Sequence, residues 1–341
     1  MSDLVLHLLT FGAGAALLIG GGELLVRGAV RLAKLLGVSA LVIGLTVVAF
    51  GTSAPELSLN VIAALNGNAG ISFGNIIGSN IANVGLILGL AALVAPLAVH
   101  PGVVRREMPF MLMATAATAA LAFLPVPLGA PFDDTGSMLG RVDGGVLLLG
   151  FVVFNVIVLR IARQDRALAE QFASEADELD GSDGGSPVAA GAMFIVGLAV
   201  LLVGGWLAER GAVATATSLG VSQEVVGLTV VAVATSLPEL VTSLIAIRKG
   251  EVDIAVGNVV GSNIFNLLLV LGATAALAPL PLPAEGGWIA IAVMGGLSLA
   301  LWPMTWTGGR TLSRFEGLAL LTVYGAYTAW LVIEATAARG A

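Results

Sequence analysis

The chain contains ten long apolar stretches separated by short connections, and this pattern constrains the fold more than any other feature of the sequence. A helix of about 20 residues is long enough to cross the hydrocarbon core of a bilayer. In lipid, backbone polar groups must bond within the protein, so each isolated apolar segment is expected to be a helix. We therefore predict an all-α polytopic membrane protein with ten transmembrane helices, at about residues 4–25, 39–65, 71–96, 108–127, 143–162, 188–209, 221–247, 253–279, 287–305 and 315–335.

The composition limits the chemistry that such a protein can carry out. Of the 341 residues, 57% are hydrophobic and 11% are charged, and the mean hydropathy is +1.00. This is too apolar for a domain whose whole surface faces water. The chain has no cysteine and two histidines, His7 and His100. Thiol chemistry is therefore excluded and a histidine-based metal or proton site is disfavoured, which leaves oxygen atoms as metal ligands.

The basic residues predict how the chain crosses the membrane. If the N-terminus is outside, the connections after spans 1, 3, 5, 7 and 9 are cytoplasmic, and they contain 12 of the 15 lysine and arginine residues. Cytoplasmic connections are generally enriched in these residues. We therefore expect a protein of the cell (inner) membrane with both termini on the extracytoplasmic side.

The stretch 164–187 carries most of the net charge. Seven acidic residues and one basic residue lie between Asp165 and Pro187, and the whole chain has a formal charge of −7. Its Gly-, Ser- and Asp-rich end is typical of a solvated linker, so we expect a flexible acidic loop in the cytoplasm. A regulatory cation site in this run is the alternative.

Two motifs occur twice, and both pairs of copies are separated by the same distance along the chain. Gly44–Glu56 reads GLTVVAFGTSAPE, and Gly227–Glu239 reads GLTVVAVATSLPE. GNIIGSNIAN at 74–83 is likewise matched by GNVVGSNIFN at 257–266. The chain therefore contains an internal repeat.

The repeat divides the chain into two five-helix halves. The first half covers 1–163, with its repeat at about 39–96, and the second covers 188–341, with its repeat at about 221–279. Because each half has an odd number of spans, the second half enters the membrane from the opposite side. Inverted-topology repeats are typical of secondary transporters, whose site lies near the midplane, where helices are broken.

Each half places one glutamate, Glu56 or Glu239, near the middle of a predicted span. A carboxylate at the bilayer centre costs at least ~2.5 kcal/mol on insertion scales. No lysine or arginine lies in the central parts of the predicted spans, so protein cations are unavailable as partners. Cations from solution are therefore the expected partners of both glutamates.

The residues around the glutamates supply further oxygens. Pro55 and Gly51 weaken the helix at Thr52–Ser53, and Pro238 does the same at Thr235–Ser236, which frees backbone carbonyls. Such ligands suit Ca²⁺ and Na⁺ but not Zn²⁺ or copper. In the second motif, pairs four residues apart share a helix face and could complete the coordination; they are Ser79 with Asn83 and Ser262 with Asn266. Hydrogen bonding between helices is an equal alternative for the other amides, which are Asn75, Asn80, Asn258 and Asn263.

The duplicated GTSxPE or ATSxPE and GNxxGSNxxN segments resemble the two α-repeats of the calcium/cation antiporter superfamily, and specifically its sodium/calcium exchanger branch of the prokaryotic type. Calcium/proton exchangers of that superfamily resemble the chain less, because they carry a GNxxE motif where this chain has GTSAPE and ATSLPE. The resemblance covers both repeats and agrees with the ten-span inverted arrangement.

The resemblance implies roles for individual residues. It implies that Glu56 and Glu239 together bind Ca²⁺, joined by the main-chain oxygens of Thr52 and Thr235. The flanking Na⁺ sites that it implies involve Ser53, Ser79, Ser236, Ser262 and the carbonyls of Ala49 and Ala232. Asn83 and Asn266 fall at the remaining central positions. Many relatives, including the potassium-dependent ones, have an aspartate at one of these, so the resemblance does not extend to potassium dependence.

These observations predict a Na⁺/Ca²⁺ antiporter that works by alternating access and not an enzyme. The chain has no nucleotide-binding signature, so ion gradients must supply the energy, and no cofactor, nucleotide or nucleic acid is expected. The expected partners are Ca²⁺, Na⁺ and the lipid bilayer. Exchange of Ca²⁺ or another divalent ion for H⁺ at the same glutamates is the alternative, and a cation channel is disfavoured by the inverted repeat.

Two further features concern the ends of the spans. Glu23 lies near the cytoplasmic end of span 1 and has no acidic counterpart at Trp206, so we expect it to be solvated and not a ligand. Glycines at Gly20–Gly22 and Gly204–Gly205 would allow spans 1 and 6 to slide. We therefore expect these two spans to rock against the remaining bundle.

Overall fold

A computed structural model of the chain describes residues 2–67, 69–123, 138–176, 186–219, 232–282, 286–306 and 309–337. The α-helices in these ranges are α1 (Ser2–Leu36), α2 (Ala40–Ile43), α3 (Ala49–Thr52), α4 (Ala54–Leu65), α5 (Ala69–Ala82), α6 (Gly89–Val94), α7 (Met108–Phe123), α8 (Arg141–Ala176), α9 (Pro187–Ser218), α10 (Ala232–Thr235), α11 (Leu237–Arg248), α12 (Val252–Phe265), α13 (Gly272–Leu277), α14 (Gly287–Met304) and α15 (Arg314–Ala337). Wider π-helical segments join several of them, namely π1 (Gly44–Val48), π2 (Asn83–Leu88), π3 (Val103–Glu107) and π4 (Asn266–Leu271).

All ten predicted spans have a helical counterpart. Among the described residues, seven helices are long and apolar enough to cross a membrane, and a bent pair, Ala40–Thr52 with Ala54–Leu65, makes up to an eighth span. Helix α7 and the pair α10–α11 lie within the fourth and seventh predicted spans. Parts of those two predictions, 124–127 and 221–231, are outside the described residues. The prediction of an all-α polytopic fold is confirmed.

Three helices are much longer than the spans predicted from hydropathy. Helix α1 has 35 residues, α8 has 36 and α9 has 32. Helix α8 continues to Ala176, so the first part of the predicted loop 164–187 is helical, and 177–185 lies outside the described residues. The segment RQDRALAEQFASEA from Arg163 to Ala176 consists mainly of good helix formers and has no glycine or proline. Hydropathy marks where a helix leaves the lipid and not where it ends.

Helices α1 and α9 pack along each other with their backbones in contact. A Cβ atom added at Gly21 would overlap the backbone of Leu201, and one added at Gly204 would overlap the backbone of Leu18. The glycines at this interface recur every seven residues on both helices, and they are Gly14, Gly21, Gly28, Gly197, Gly204 and Gly211. Small residues allow such close approach between transmembrane helices.

The predicted glycine contact is partly wrong in its details. Gly20 faces no atom within 4 Å, so it does not contribute to the interface. A Cβ at Gly22 would meet Ile245 of α11, and one at Gly205 would meet Pro238 of the same helix. The seven-residue spacing, which the sequence analysis missed, identifies the glycines that face the other helix.

The two segments that carry GNxxGSNxxN lie in the centre of the protein. In Ser72–Val94 and Val252–Leu277, 78% and 94% of the most apolar window is buried, whereas the other long helices bury 11–39%. The outer helices therefore face lipid with most of their surface, and the central pair is surrounded by protein. Polar side chains in the central pair are shielded from the bilayer.

Two short antiparallel ladders show that the internal symmetry extends over all five spans of each half. Strand β1 (Leu97–Ala98) pairs with β4 (Thr311–Leu312), and β2 (Met138–Leu139) pairs with β3 (Leu280–Pro281). β3 is the counterpart of β1 at the same separation as the duplicated motifs, and β4 is the counterpart of β2 at a slightly shorter separation. The ladders are therefore equivalent under the repeat, and its spacing changes between the fourth and fifth spans.

Candidate ion-binding site

The second span is broken where the sequence predicts it. Helix α3 ends at Thr52, Ser53 leaves the helical conformation with φ −84° and ψ 0°, and α4 begins directly after it with Pro55 in its first turn. The two parts of the span are bent by 41°. Because proline has no N–H, the carbonyl of Gly51 lacks its usual donor four residues later. The break also places Glu56 in the first turn of α4, where the helix dipole favours negative charge.

The seventh span has an equivalent break. Helix α10 ends at Thr235, Ser236 has φ −90° and ψ 4°, and α11 begins at Leu237 with Pro238 next to it. Glu239 lies in the first turn of α11. The same local sequence therefore produces the same helix break on the other side of the pseudo-twofold axis.

The two glutamates form a buried acidic pair. Glu56 is 2% exposed and Glu239 is 1% exposed, and their carboxyl groups are close enough to interact electrostatically. Within the described part of the chain, no basic side chain lies within 4.0 Å of either carboxylate. Oε2 of Glu56 and both carboxylate oxygens of Glu239 have no hydrogen-bond partner there within 3.5 Å, although the Thr52 hydroxyl lies near Glu239 and bonds to other acceptors. Two buried carboxylates repel each other and are desolvated, so the pair is unfavourable unless a cation binds between them.

Four buried serine hydroxyls are also without a hydrogen-bond partner among the described residues, and they form two symmetric pairs. They are Ser53 with Ser236 and Ser79 with Ser262. Other hydroxyls in the spans bond to a carbonyl one turn earlier, as Thr115 does at 2.9 Å and Thr274 at 2.6 Å, although those of Thr118 and Thr242 also lack a partner among the described residues. Leaving a buried hydroxyl unbonded costs about 1–3 kcal/mol, so each such oxygen indicates a missing partner.

Asn83 and Asn266 are each the first residue of a π-helical segment, π2 or π4, and both are buried. Such wide turns occur frequently at functional sites. Within the described ranges, Oδ1 of Asn83 and both amide atoms of Asn266 have no hydrogen-bond partner. The side-chain oxygens of Asn83 and Asn266 therefore accept no hydrogen bond from the described residues, and they lie beside the helices that carry Glu56 and Glu239.

Three of the other four amides have side-chain oxygens that accept hydrogen bonds. Asn258 accepts from Thr52 Oγ1 at 3.1 Å and donates to Ser243 Oγ at 3.2 Å. Asn263 accepts from Asn83 Nδ2 at 3.0 Å, and Asn75 accepts from Asn60 Nδ2 at 2.9 Å. These bonds join the second, third, seventh and eighth spans into one polar cluster.

Asn80 donates hydrogen bonds, but its side-chain oxygen accepts none from the described residues. Its Nδ2 donates to the backbone oxygen of Asn263 at 3.3 Å and to the sulfur of Met294 at 3.7 Å. Asn263 in turn donates to the sulfur of Met111 at 3.6 Å. Met111 and Met294 are symmetry-related, so the fourth and ninth spans support the central amides in the same way in both halves.

Asn60 and Ser243, one in each half, also support the site and were not predicted from the sequence: Asn60 donates to Asn75, and Ser243 accepts from Asn258. Both are fully buried and lie four residues after a glutamate, on the same helix face. Asn60 also donates to the backbone oxygen of Glu56 at 2.7 Å. A polar residue one turn after each glutamate in an otherwise apolar span was the signal that could have identified them.

The hydrogen bonds around the backbone carbonyls that are expected to bind Na⁺ differ between the two halves. The carbonyl of Ala49 accepts a hydrogen bond from Ser53 N at 3.0 Å and a longer one from Thr52 Oγ1 at 3.4 Å. Ser236 N instead bonds to the carbonyl of Val233 at 3.2 Å. Ala232 begins helix α10.

Glu23 lies away from this cluster, as predicted. Its side chain is 38% exposed and forms ion pairs with Arg27 at 3.1 Å and with Lys249 at 2.8 Å. The second pair links α1 to the residue that follows α11. Glu23 therefore already has two protein cations as partners.

The sequence profile of the family described as "Sodium/calcium exchanger protein" matches residues 6–160 and again residues 189–333. The starts of the two matched segments are separated by the same distance as the duplicated motifs, and their ends are slightly closer together, as strands β2 and β4 are. They therefore reproduce the two spacings of the internal repeat, and together they cover most of the chain.

Individual proteins of this kind are similar to the chain over nearly its whole length. The putative antiporter CaxA of Alkalimonas amylolytica is 38% identical over 92% of this chain and 95% of its own. The sodium/calcium exchanger MaX1 of Methanosarcina acetivorans is 33% identical over 92% of this chain and 95% of its own. The solved structure of the sodium-calcium exchanger NCX_Mj, soaked with 10 mM Na⁺ and zero Ca²⁺, has a TM-score of 0.78 and 31% identity over 96% of this chain and 99% of its own.

Proposed function

Because the chain belongs to the sodium/calcium exchanger family, whose members are membrane antiporters and not enzymes, we propose that it exchanges Na⁺ for Ca²⁺ at a central site built on Glu56 and Glu239. The observation that carries this proposal is the buried acidic pair, three of whose four carboxylate oxygens lack hydrogen-bond partners among the described residues. A divalent cation bound between these two carboxylates would satisfy them and remove their mutual repulsion.

Ca²⁺ takes six to eight oxygen ligands in a flexible geometry. The two carboxylates can supply several of these, and the main-chain oxygens of Thr52 and Thr235 lie at the helix breaks beside them. Asn83 and Asn266 offer neutral amide oxygens from the third and eighth spans. All of these ligands are hard oxygens, which favours Ca²⁺ over Zn²⁺ or copper.

The remaining oxygens flank the acidic pair and suit Na⁺. The proposed Na⁺ ligands are the hydroxyls of Ser53, Ser79, Ser236 and Ser262 and the carbonyls of Ala49 and Ala232. One Ca²⁺ or two Na⁺ would neutralise the two carboxylates, so competition for shared oxygens couples the two ions. A third Na⁺ would be held mainly by neutral oxygens, and its transport would make the exchange electrogenic.

Exchange of Ca²⁺ for H⁺ is the second candidate, because a proton on each buried glutamate would also remove the negative charge. The four serine hydroxyls favour Na⁺ instead. They come in symmetric pairs without partners in the described part of the chain, and a proton-coupled exchanger has no need of them. Na⁺ does need such neutral oxygens.

The orientation of the chain is also part of the proposal. The protein lies in the inner membrane of the cell. Both termini lie outside the cytoplasm, and the 164–187 connection lies inside it. Because the natural chain has no cysteine, single cysteines can be placed in each connection and labelled with an impermeant thiol reagent. Labelling of a cysteine at position 182 from outside intact cells would contradict this orientation.

The experiment that tests the ion coupling uses the purified chain in sealed vesicles. Uptake of radioactive Ca²⁺ is measured with an outward Na⁺ gradient alone and with a pH gradient alone. We expect uptake with the Na⁺ gradient, and we expect Glu56→Gln or Glu239→Gln to abolish it. Glu334→Gln on the outer helix α15 removes a carboxylate far along the chain from the repeats and is the matched control. Uptake driven by the pH gradient without Na⁺ would identify the proton-coupled alternative.

A further inference from the structure

A cavity of about 120 Å³ lies at one end of the helical bundle, where the two halves of the chain meet. It is lined by Pro101, Val104, Arg105, Trp306 and Arg310. Both arginines are exposed, and no carboxylate among the described residues lies within 4.0 Å of either guanidinium group. The cavity therefore combines two positive charges that are not neutralised within the described part of the protein.

The backbone holds the two arginines in place. Arg105 lies in the short π3 segment, and Arg310 directly precedes strand β4. The N–H of Val99 donates to the carbonyl of Arg310 at 2.8 Å, and the indole of Trp302 donates to the carbonyl of Val104 at 2.9 Å. The first bond connects the segment after the third span to the segment after the ninth, and the second connects π3 to the end of α14. The cavity is therefore preformed and does not depend on flexible side chains alone.

Arg310 has an unfavourable backbone conformation. Its φ is 67°, and no other non-glycine residue among those described has a positive φ. A side chain costs free energy in this region, where glycine is normally preferred. An arginine at this position indicates that its guanidinium group has a role that offsets the strain.

The internal symmetry shows that this pair of arginines belongs to one membrane face. The equivalents of Arg105 and Arg310 in the other half are Trp288 and Ser137, of which Ser137 is outside the described residues. The opposite end of the bundle therefore lacks both positive charges. In the proposed orientation, the arginine pair lies on the cytoplasmic face, where anionic lipids are concentrated.

The surroundings of the cavity suit a lipid headgroup. Helix α14 ends at Met304 and helix α7 begins at Met108, so the cavity lies where two spans reach the membrane surface. Trp306 is 62% exposed, and exposed tryptophans are enriched at the level of the headgroups. Guanidinium groups bind phosphate oxygens in a bidentate manner.

We propose that Arg105 and Arg310 bind the phosphodiester of an anionic phospholipid, with the indole of Trp306 packed against its glycerol region. The bound lipid would bridge the segments that follow the third and ninth spans, one from each half of the chain. The proposal depends on the orientation proposed above but not on which ions are exchanged, so it can fail while the antiport proposal stands.

The test measures binding of phosphatidylglycerol to the detergent-purified full-length chain by native mass spectrometry. We expect Arg105→Gln and Arg310→Gln each to weaken binding about fivefold, since a basic residue near an anionic membrane surface contributes about 1 kcal/mol. The double variant should bind about 25-fold more weakly. Arg163→Gln, which removes an exposed arginine from α8 on the same predicted face, is the matched control and should bind like the natural chain.

A second variant separates the role of the guanidinium group from that of the fold. Arg310→Gly keeps the left-handed backbone conformation and relieves its strain, so it should be at least as stable as the natural chain and still lose affinity for phosphatidylglycerol. Inorganic phosphate should not displace the lipid. Unchanged lipid binding in the double variant, or displacement of the lipid by inorganic phosphate at a similar concentration, would overturn the proposal.

Discussion

The side-chain amide of Asn83 donates a hydrogen bond to the side-chain oxygen of Asn263 at 3.0 Å and so joins the two halves of the chain at the candidate site. The symmetry-related pair, Asn266 and Asn80, has no such bond: Oδ1 of Asn80 and both amide atoms of Asn266 have no partner among the described residues. The two halves have nearly the same local sequence but differ in this hydrogen bond. In an alternating-access transporter, the two halves are expected to exchange such roles between the two access states.

This bond predicts unequal effects for two equivalent substitutions. Asn263→Ala would leave the Asn83 amide buried without its acceptor and free to rotate, at a cost of about 1–3 kcal/mol. We expect it to weaken Ca²⁺ binding by about tenfold or more, measured by calorimetry on the purified protein. Asn80→Ala should have a smaller effect, because the Oδ1 that it removes has no partner in the described part of the chain. Equal effects of the two variants would contradict the asymmetry.

Removing the serine hydroxyls should weaken Na⁺ binding without destabilising the fold. Ser79→Ala and Ser262→Ala each remove a buried oxygen that has no donor or acceptor among the described residues, so unfolding stability should be unchanged or slightly higher. The Na⁺ concentration that displaces Ca²⁺ should rise by about two- to tenfold, the effect of losing one ligand oxygen.

Thr115→Val is the matched control for the serine variants. It removes a hydroxyl that already bonds to the carbonyl of Met111 at 2.9 Å. It should leave competition between Na⁺ and Ca²⁺ unchanged. If Ser262→Ala and Thr115→Val behaved alike in this competition, the serine oxygens would not be Na⁺ ligands.

Much of this site could be predicted from local sequence, because its causes are local. A proline removes a backbone donor wherever it stands in a helix, so Pro55 and Pro238 fix the positions of both breaks. The repeat spacing pairs Glu56 with Glu239 without any structural information. The ten spans follow from the length that a bilayer requires.

Other features depend on contacts between distant segments, and sequence patterns do not record these. Asn60 and Ser243 each lie one turn after a glutamate, but only their partners, Asn75 and Asn258, show that these side chains support the site. The glycines between α1 and α9 recur every seven residues, but only the packing shows that Gly21 faces the other helix and that Gly20 does not. The length of α8 was underestimated because the apolar run ends before the helix does.

Restoring the backbone donor at the first helix break should weaken the site. Pro55→Ala supplies the N–H that the carbonyl of Gly51 lacks, so α3 and α4 can join into a straighter helix. The Ca²⁺ affinity should fall about tenfold, because a straighter helix would move Glu56 and the main-chain oxygen of Thr52, whereas unfolding stability should change by no more than about 1 kcal/mol. Leu57→Ala, two positions further along α4, tests whether any change in this helix has the same effect. A Pro55→Ala protein with unchanged Ca²⁺ affinity would show that the break is not needed for binding.

The packing of α1 against α9 predicts opposite effects for neighbouring glycines. Gly204→Ala places a Cβ atom against the backbone of Leu18 and should destabilise the protein by about 1–3 kcal/mol. Gly20→Ala faces open space and removes an unfavourable glycine from a helix, so it should stabilise the protein by up to about 1 kcal/mol. Thermal unfolding of the two variants in the same detergent checks this prediction, which fails if both variants are equally stable.

The same packing predicts which cross-links stop transport. If α1 and α9 move together against the bundle, tying them to each other should be harmless, and tying α1 to α11 should block the cycle. The chain has no cysteine, so paired cysteines can be introduced where side chains already meet. His7 and Ser218 are 3.1 Å apart at the ends of α1 and α9, and Glu23 and Lys249 are 2.8 Å apart between α1 and the end of α11. A short thiol cross-linker should therefore abolish Ca²⁺ uptake in the Glu23→Cys/Lys249→Cys protein and leave it intact in the His7→Cys/Ser218→Cys protein, each compared with its own uncross-linked form. Full uptake by a completely cross-linked Glu23→Cys/Lys249→Cys protein would show that α1 does not move relative to α11 during exchange.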